Sequence, residues 1–318
     1  MPRVLKLDQR PPAYDSVGEA SYGPEPEGEI EDDVELAAWQ PVRPATPPAT
    51  TAFVFVDGVE RRDWRIAAEG DGMPVPGLLA SYGAGAVVPG GTPAIRHATI
   101  ERRLILADGA RSGCLRLEGG GGRVEYLPAH SAESDAEGLE ATLRSLRAAL
   151  EVETVRRAQA DADALVVIDG RLPPDLDPSV VGLIKTPHVL PSVVTKHFAL
   201  LNALAAGERS PVFVRRRSDR AFYSWFVCLR TPAPYALALS GLALLEMDAS
   251  RDTALRTADL TAARLPAYAS APFQDDRAPQ NLRPVGVLER ELRHRLGDRE
   301  LIQRLLVRVF AKEPTWER

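Results

Sequence analysis

Two apolar runs that end in the same dipeptide constrain this chain most. Residues 52–59 read AFVFVDGV and residues 164–170 read ALVVIDG. Short runs rich in β-branched and aromatic residues, closed by turn-forming residues, specify buried strands rather than amphipathic helices. A third run of this kind, VVGLI at 180–184, is followed by Lys185. Between the first two runs lies the clearest helical pattern, 137–160, with Leu139, Leu143, Leu146, Leu150 and Val155 on one stripe. Buried strands connected through such a helix require a sheet covered by helices.

The other segments extend that sheet. Residues 60–68 are expected to pair back on the first strand as a hairpin. The Gly- and Pro-rich stretch 70–91 is expected to leave the sheet. A long strand follows at 94–106, then a hairpin over 113–127 around four glycines at 119–122. A helix is expected at 192–206, strands at 211–216, 221–230 and 235–247, and a helical tail from Pro284. The fold class is α/β: a mixed sheet flanked by helices, with added β-hairpins and a helical C-terminal region, forming one domain over 51–318. No GxGxxG, GxxxxGK[ST] or GxSxG occurs. That excludes the dinucleotide fingerprint, the P-loop and the hydrolase elbow.

Charge divides the chain. Residues 1–40 hold ten acids and three bases, whereas the remaining 278 residues hold 36 bases and 34 acids. The acidic, Pro- and Glu-rich leader over 1–50 is expected to be poorly ordered, with one short helix at 34–39. The body, at +2, neither demands nor forbids a nucleic-acid ligand, because local clustering decides that. No window approaches a membrane span, and the first residues lack the apolar core of a signal peptide. Two cysteines, Cys114 and Cys228, cannot build a four-thiolate zinc site. A cytoplasmic protein with no membrane contact is expected.

The chemistry gathers at strand ends. Asp57 and Asp169 each close an apolar strand and precede a glycine, which lets another group approach. Side by side, they offer oxygen ligands suited to Mg²⁺ or Mn²⁺. A third acid would complete a divalent-metal site for phosphoryl transfer. Glu151, beside the apolar stripe of the helix, is the candidate, with Glu153 and Glu101 as alternatives. Lys185 is placed to contact a phosphate or orient water, with His188 a possible neighbour. Arg215, Arg216 and Arg217, in VRRRSDR between two strands, form a candidate grip on a DNA backbone. Tyr223 and Trp225 nearby are candidates to stack on bases. After Asp57 the chain reads GVERRDW, without the Gly-rich phosphate turn that an actin-like kinase needs.

The series VFVDG, LRAALE, ALVVIDGRL and VVGLIKTPH resembles the NurA family of DNA-end-processing nucleases. The tail DDRAPQNLRPVGVLERELRHRLGD resembles the bacterial branch of that family. The resemblance covers roughly residues 50–310. It implies an RNase H-like fold and a manganese-dependent nuclease, with magnesium as the alternative, holding one or two ions per site. It implies single-strand endonuclease and 5′→3′ exonuclease activity in end resection and recombinational repair. It also implies a homodimer docked on a hexameric HerA-type translocase. By position, the resemblance makes Asp57, Glu151 and Asp169 metal ligands and catalytic residues, with Glu153 in reserve, and matches Lys185 to the lysine after the third strand. Archaeal members carry a C-terminal histidine where this chain reads PVGVLERE, so Glu289 or His294 takes the remaining ligand position. Gln280 and Asn281, in RAPQNL, are expected to face DNA. The competing reading is a non-catalytic docking partner of a DNA translocase.

Overall fold

A computed structural model describes residues 4–7, 28–44, 51–69, 73–110, 112–119, 122–161, 164–173, 176, 179–185, 191–217, 220–232, 238–271 and 279–311. In chain order the strands are β1 (Val4–Leu7), β2 (Ile30–Glu31), β3 (Ala52–Glu69), β4 (Val75–Val88), β5 (Ala94–Leu106), β6 (Leu115–Gly119) and β7 (Gly122–His130). Helix α1 (Ala136–Asp161) leads into β8 (Ala164–Asp169) and β9 (Val180–Ile184). Then come α2 (Pro191–Lys196), α3 (Phe198–Ala203), β10 (Phe213–Arg217), β11 (Arg220–Cys228) and β12 (Leu242–Met247). Helices α4 (Arg251–Arg264), α5 (Arg283–Arg295) and α6 (Arg299–Phe310) follow.

One mixed sheet joins these strands in the order β2-β10-β11-β12-β9-β8-β3-β4-β5-β7-β6, with β1 paired to β3. Strands β3, β4 and β5 form an antiparallel meander. After α1 the chain returns as β8, parallel to β3, and then β9, parallel to β8. The two faces of the sheet bury different partners. Phe53, Phe55, Val167 and Leu183 pack with Val285, Leu288 and Leu292 of α5 and with Ala254 and Ala258 of α4. Val54, Val56, Val166 and Ile168 pack with Val155 and Ala158 of α1. This alternation is the strand period of two, with one helical layer on each side.

Two expectations for the meander fail for one reason. The first strand does not turn at Asp57-Gly58; β3 runs 18 residues through it. The stretch 75–88 does not leave the sheet but lies inside it as β4, between β3 and β5, buried along nearly its whole length. Small residues there read as turn formers, yet they serve close packing. A Cβ on Gly85 would come 3.0 Å from Leu288 of α5.

The remaining differences are local. The helix expected at 192–206 is two short helices broken at His197. Residues 34–39 contain bends and no helix. Of the leader, β1 pairs with β3, and residues 28–44 dock on the sheet edge. Arg209, buried, holds Glu35 through two bonds of 2.7 and 2.8 Å and also bonds Asp259. The rest of 1–50 lies outside the described residues. Helix α4 carries no strong apolar stripe, so its sequence does not announce a helix. Among the described residues no helix is long and apolar enough to cross a membrane.

Candidate metal centre

Strand register sets the site. Val56 pairs with Ile168 in the parallel β3–β8 ladder, so Asp57 and Asp169, one residue on, stand level. Both fall on the face of Phe55 and Val167, the face covered by α5. In the β8–β9 ladder Asp169 pairs with Leu183, and Lys185, two residues further, returns to that face. Helix α5 buries Val285, Leu288, Leu292 and Glu289. Oxygens of Asp57, Asp169 and Glu289 all lie within 4.8 Å of one another. Asp57 and Glu289 are buried and Asp169 is partly so.

Hydrogen bonds hold these groups in place. Asp57 Oδ1 accepts from the Gly58 N–H at 2.8 Å. Lys185 Nζ donates to Asp169 and, at 2.9 Å, to Asn281 Oδ1. Asn281 is itself buried and lies two residues before α5, so one lysine ties the end of β9 to the entry of the helix bearing Glu289. At the rim Arg293 lies 3.7 Å from Glu289.

Asp169 is followed by a true turn, with Gly170 at φ +116°. The segment after it folds back over β9. A Cβ on Gly182 would meet the Leu172 nitrogen at 2.8 Å and the Gly170 oxygen at 2.9 Å, so only glycine admits that approach. Glu246 of β12, fully buried, accepts from the Leu172 N–H at 2.7 Å and from Arg215 at 2.6 Å. It fixes the exit from Asp169. Sequence reading missed Glu246, although an acid inside the apolar run LALLEM was the available signal.

Glu151 is not one of the three converging acids. Helix α1 covers the opposite face of the sheet, and Glu151 sits behind Gly58, its Oε1 within 2.3 Å of where a Cβ would be. It bonds Arg147 at 2.5 Å, and Arg147 also bonds Glu60. The alternatives join neither face of the site. Glu153 is exposed and pairs with Arg157, and Glu101 accepts from Tyr82 and Arg103. Of the two candidates on α5, Glu289 points inward and His294 is exposed.

Two of the expected DNA contacts, Arg215 and Asn281, are buried. Arg215 is only 2% exposed and spends its charge on Glu246. Arg216, one residue on and therefore on the other face, pairs with Glu31 of the docked leader. The side chain of Arg217 lies outside the described residues, as does His188. Gln280 donates to the Leu242 carbonyl at 2.8 Å, and Asn281 serves Lys185. Trp225 is buried and donates to Thr261.

The electrostatics fit a divalent cation. Burial pushes the Asp57 carboxyl well above the usual carboxylate range. The charge of Asp169 adds to this, Lys185 opposes it, and Glu289 and Glu151 raise it further. Burial likewise pushes Glu151 up to about 7 in spite of the Arg147 partner. Three carboxylates thus converge beside Lys185, with a fourth, Glu151, behind the sheet and paired with Arg147. An all-oxygen donor set with excess negative charge suits magnesium or manganese rather than a thiol- or imidazole-seeking ion. No protein-family model and no curated protein matches the sequence, so the case for the site rests on its side chains.

Proposed function

We propose that this chain is a divalent-metal-dependent phosphodiester hydrolase acting on DNA, with Asp57, Asp169 and Glu289 holding manganese or magnesium. The observation that carries the reading is the convergence of three carboxylates, two of them buried, on one face of the sheet. So concentrated a charge is costly to bury without a cation. A bound cation supplies Lewis-acid stabilisation of the charge that builds on the phosphoryl oxygens.

The chain's own residues do the rest. Asp57 and Asp169, fixed by adjacent strands, set the cation position. Glu289 closes the site from α5. Lys185, held by Asp169 and Asn281, places positive charge beside the phosphate. Glu151 acts from behind Gly58, its charge felt by both aspartates. A meander, a helix and two strands parallel to the first are compatible with an RNase H-like sheet. The resemblance to NurA nucleases supplies the substrate class, DNA, and extends the proposal to a homodimer working with a HerA-type translocase in end resection. Metal-dependent cutting of single-stranded DNA by the purified protein is the test.

A further inference from the structure

Resting on that reading, the question is what grips the substrate, since Arg215 is buried against Glu246 and Arg216, on β10, stands four strand pairings away from Asp169 on β8. Helix α5 offers an answer. Glu289 sits at the edge of the helix's buried stripe of Val285, Leu288 and Leu292. Steps of three and four residues place Gly286, Arg290 and Arg293 on the next stripe round, on the Glu289 side. Arg290 is exposed, and Arg293 is 52% exposed. The two lie about 4.5 Å apart along the axis. Gly286 makes the stripe shallow. Among the described residues, and apart from the helix's own backbone, an added Cβ there would meet Arg290 Nη1 and Asn281 Nδ2, each at 3.8 Å, so the groups flanking the dip are N–H donors.

We propose that Gly286, Arg290 and Arg293 form the track for the backbone of single-stranded DNA running into the acids. The occupant follows from charge. A polyanion approaching the acids is repelled unless cations line its path, and among the described residues Arg290 and Arg293 stand on the stripe beside Glu289. Guanidinium forks suit phosphate oxygens, and the missing side chain at Gly286 lets the strand lie close to the helix. The phosphates on one side of the scissile bond sit on α5 while the scissile phosphate meets the acids.

The test is fluorescence anisotropy of a labelled oligothymidylate with the full-length chain in EDTA, across a salt series. The paired substitution Arg290→Gln with Arg293→Gln is expected to weaken binding about tenfold or more at low salt. It should also flatten the plot of log Kd against log salt by about 1.4, or about 0.7 per lost phosphate contact. Arg290→Lys with Arg293→Lys should restore most of the slope. Arg156→Gln, on the exposed side of α1, should bind as the wild type does. Wild-type affinity and slope in the glutamine pair, or no binding by the wild type at low salt, would overturn the track. Because these titrations contain no divalent metal, they decide the track even if manganese yields no cleavage, an outcome that would instead remove the hydrolase reading.

Discussion

Asp57 and Asp169 stand level on adjacent parallel strands, one residue beyond the Val56–Ile168 pair and on one face of the sheet. Residues related in this way are held by backbone ladders on both sides, so their separation is set before any ligand arrives. The third acid comes from α5, which packs on that face, and not from α1, which packs on the other.

This division predicts different fates for two glutamates. Glu289→Gln should abolish the rise in melting temperature that Mn²⁺ confers on the wild-type protein, because it removes a ligand. Glu151→Gln should keep most of that rise. Differential scanning fluorimetry with and without Mn²⁺ measures both. Equal loss in the two variants would place Glu151 among the ligands.

The raised carboxyls make stability depend on pH with a definite sign. Asp57 and Glu151 hold protons more tightly folded than unfolded, so the folded state binds more protons and stability falls as pH rises. For Glu151, from a usual 4.5 to about 7, the loss amounts to about 3 kcal/mol across that window. The metal-free protein should therefore melt at lower temperature at pH 7.5 than at pH 5.5, and Asp57→Asn should melt higher than wild type at pH 7.5. Stabilisation by Mn²⁺ should grow over the same range, since it needs the ionised acids. A metal-free melting temperature flat with pH would contradict the raised carboxyls of Asp57 and Glu151.

Gly182 tests the link from β9 to Asp169. Gly182→Ala drives a Cβ into backbone atoms of residues 170 and 172. The segment has to shift, at a cost of about 1–3 kcal/mol in unfolding free energy. The shift should also weaken the Mn²⁺-induced stabilisation. Chemical denaturation gives the first quantity and fluorimetry the second. A variant as stable as wild type would show that the turn after Asp169 relaxes freely.

The sequence reveals the site's strands but not its helix partner. The runs at 52–59, 164–170 and 180–184 are apolar enough to read as strands, and they place Asp57, Asp169 and Lys185 on three neighbouring strands. The choice between Glu151 and Glu289 turns on which face each helix covers, and a one-dimensional pattern does not encode that. The Gly- and Ala-rich stretch at 75–88 misleads because small residues mark turns and tight interfaces alike. Arg215 misleads because its partner, Glu246, lies 31 residues away, across two strand pairings.

The most direct measurement is cleavage of 5′-labelled single-stranded DNA by the wild type and by Asp57→Asn, each with Mn²⁺, with Mg²⁺ and with EDTA. The account predicts products only with divalent metal, with Asp57→Asn slower than the wild type by about a hundredfold or more. Intact DNA in every wild-type lane, or equal cleavage by the two proteins, would contradict it.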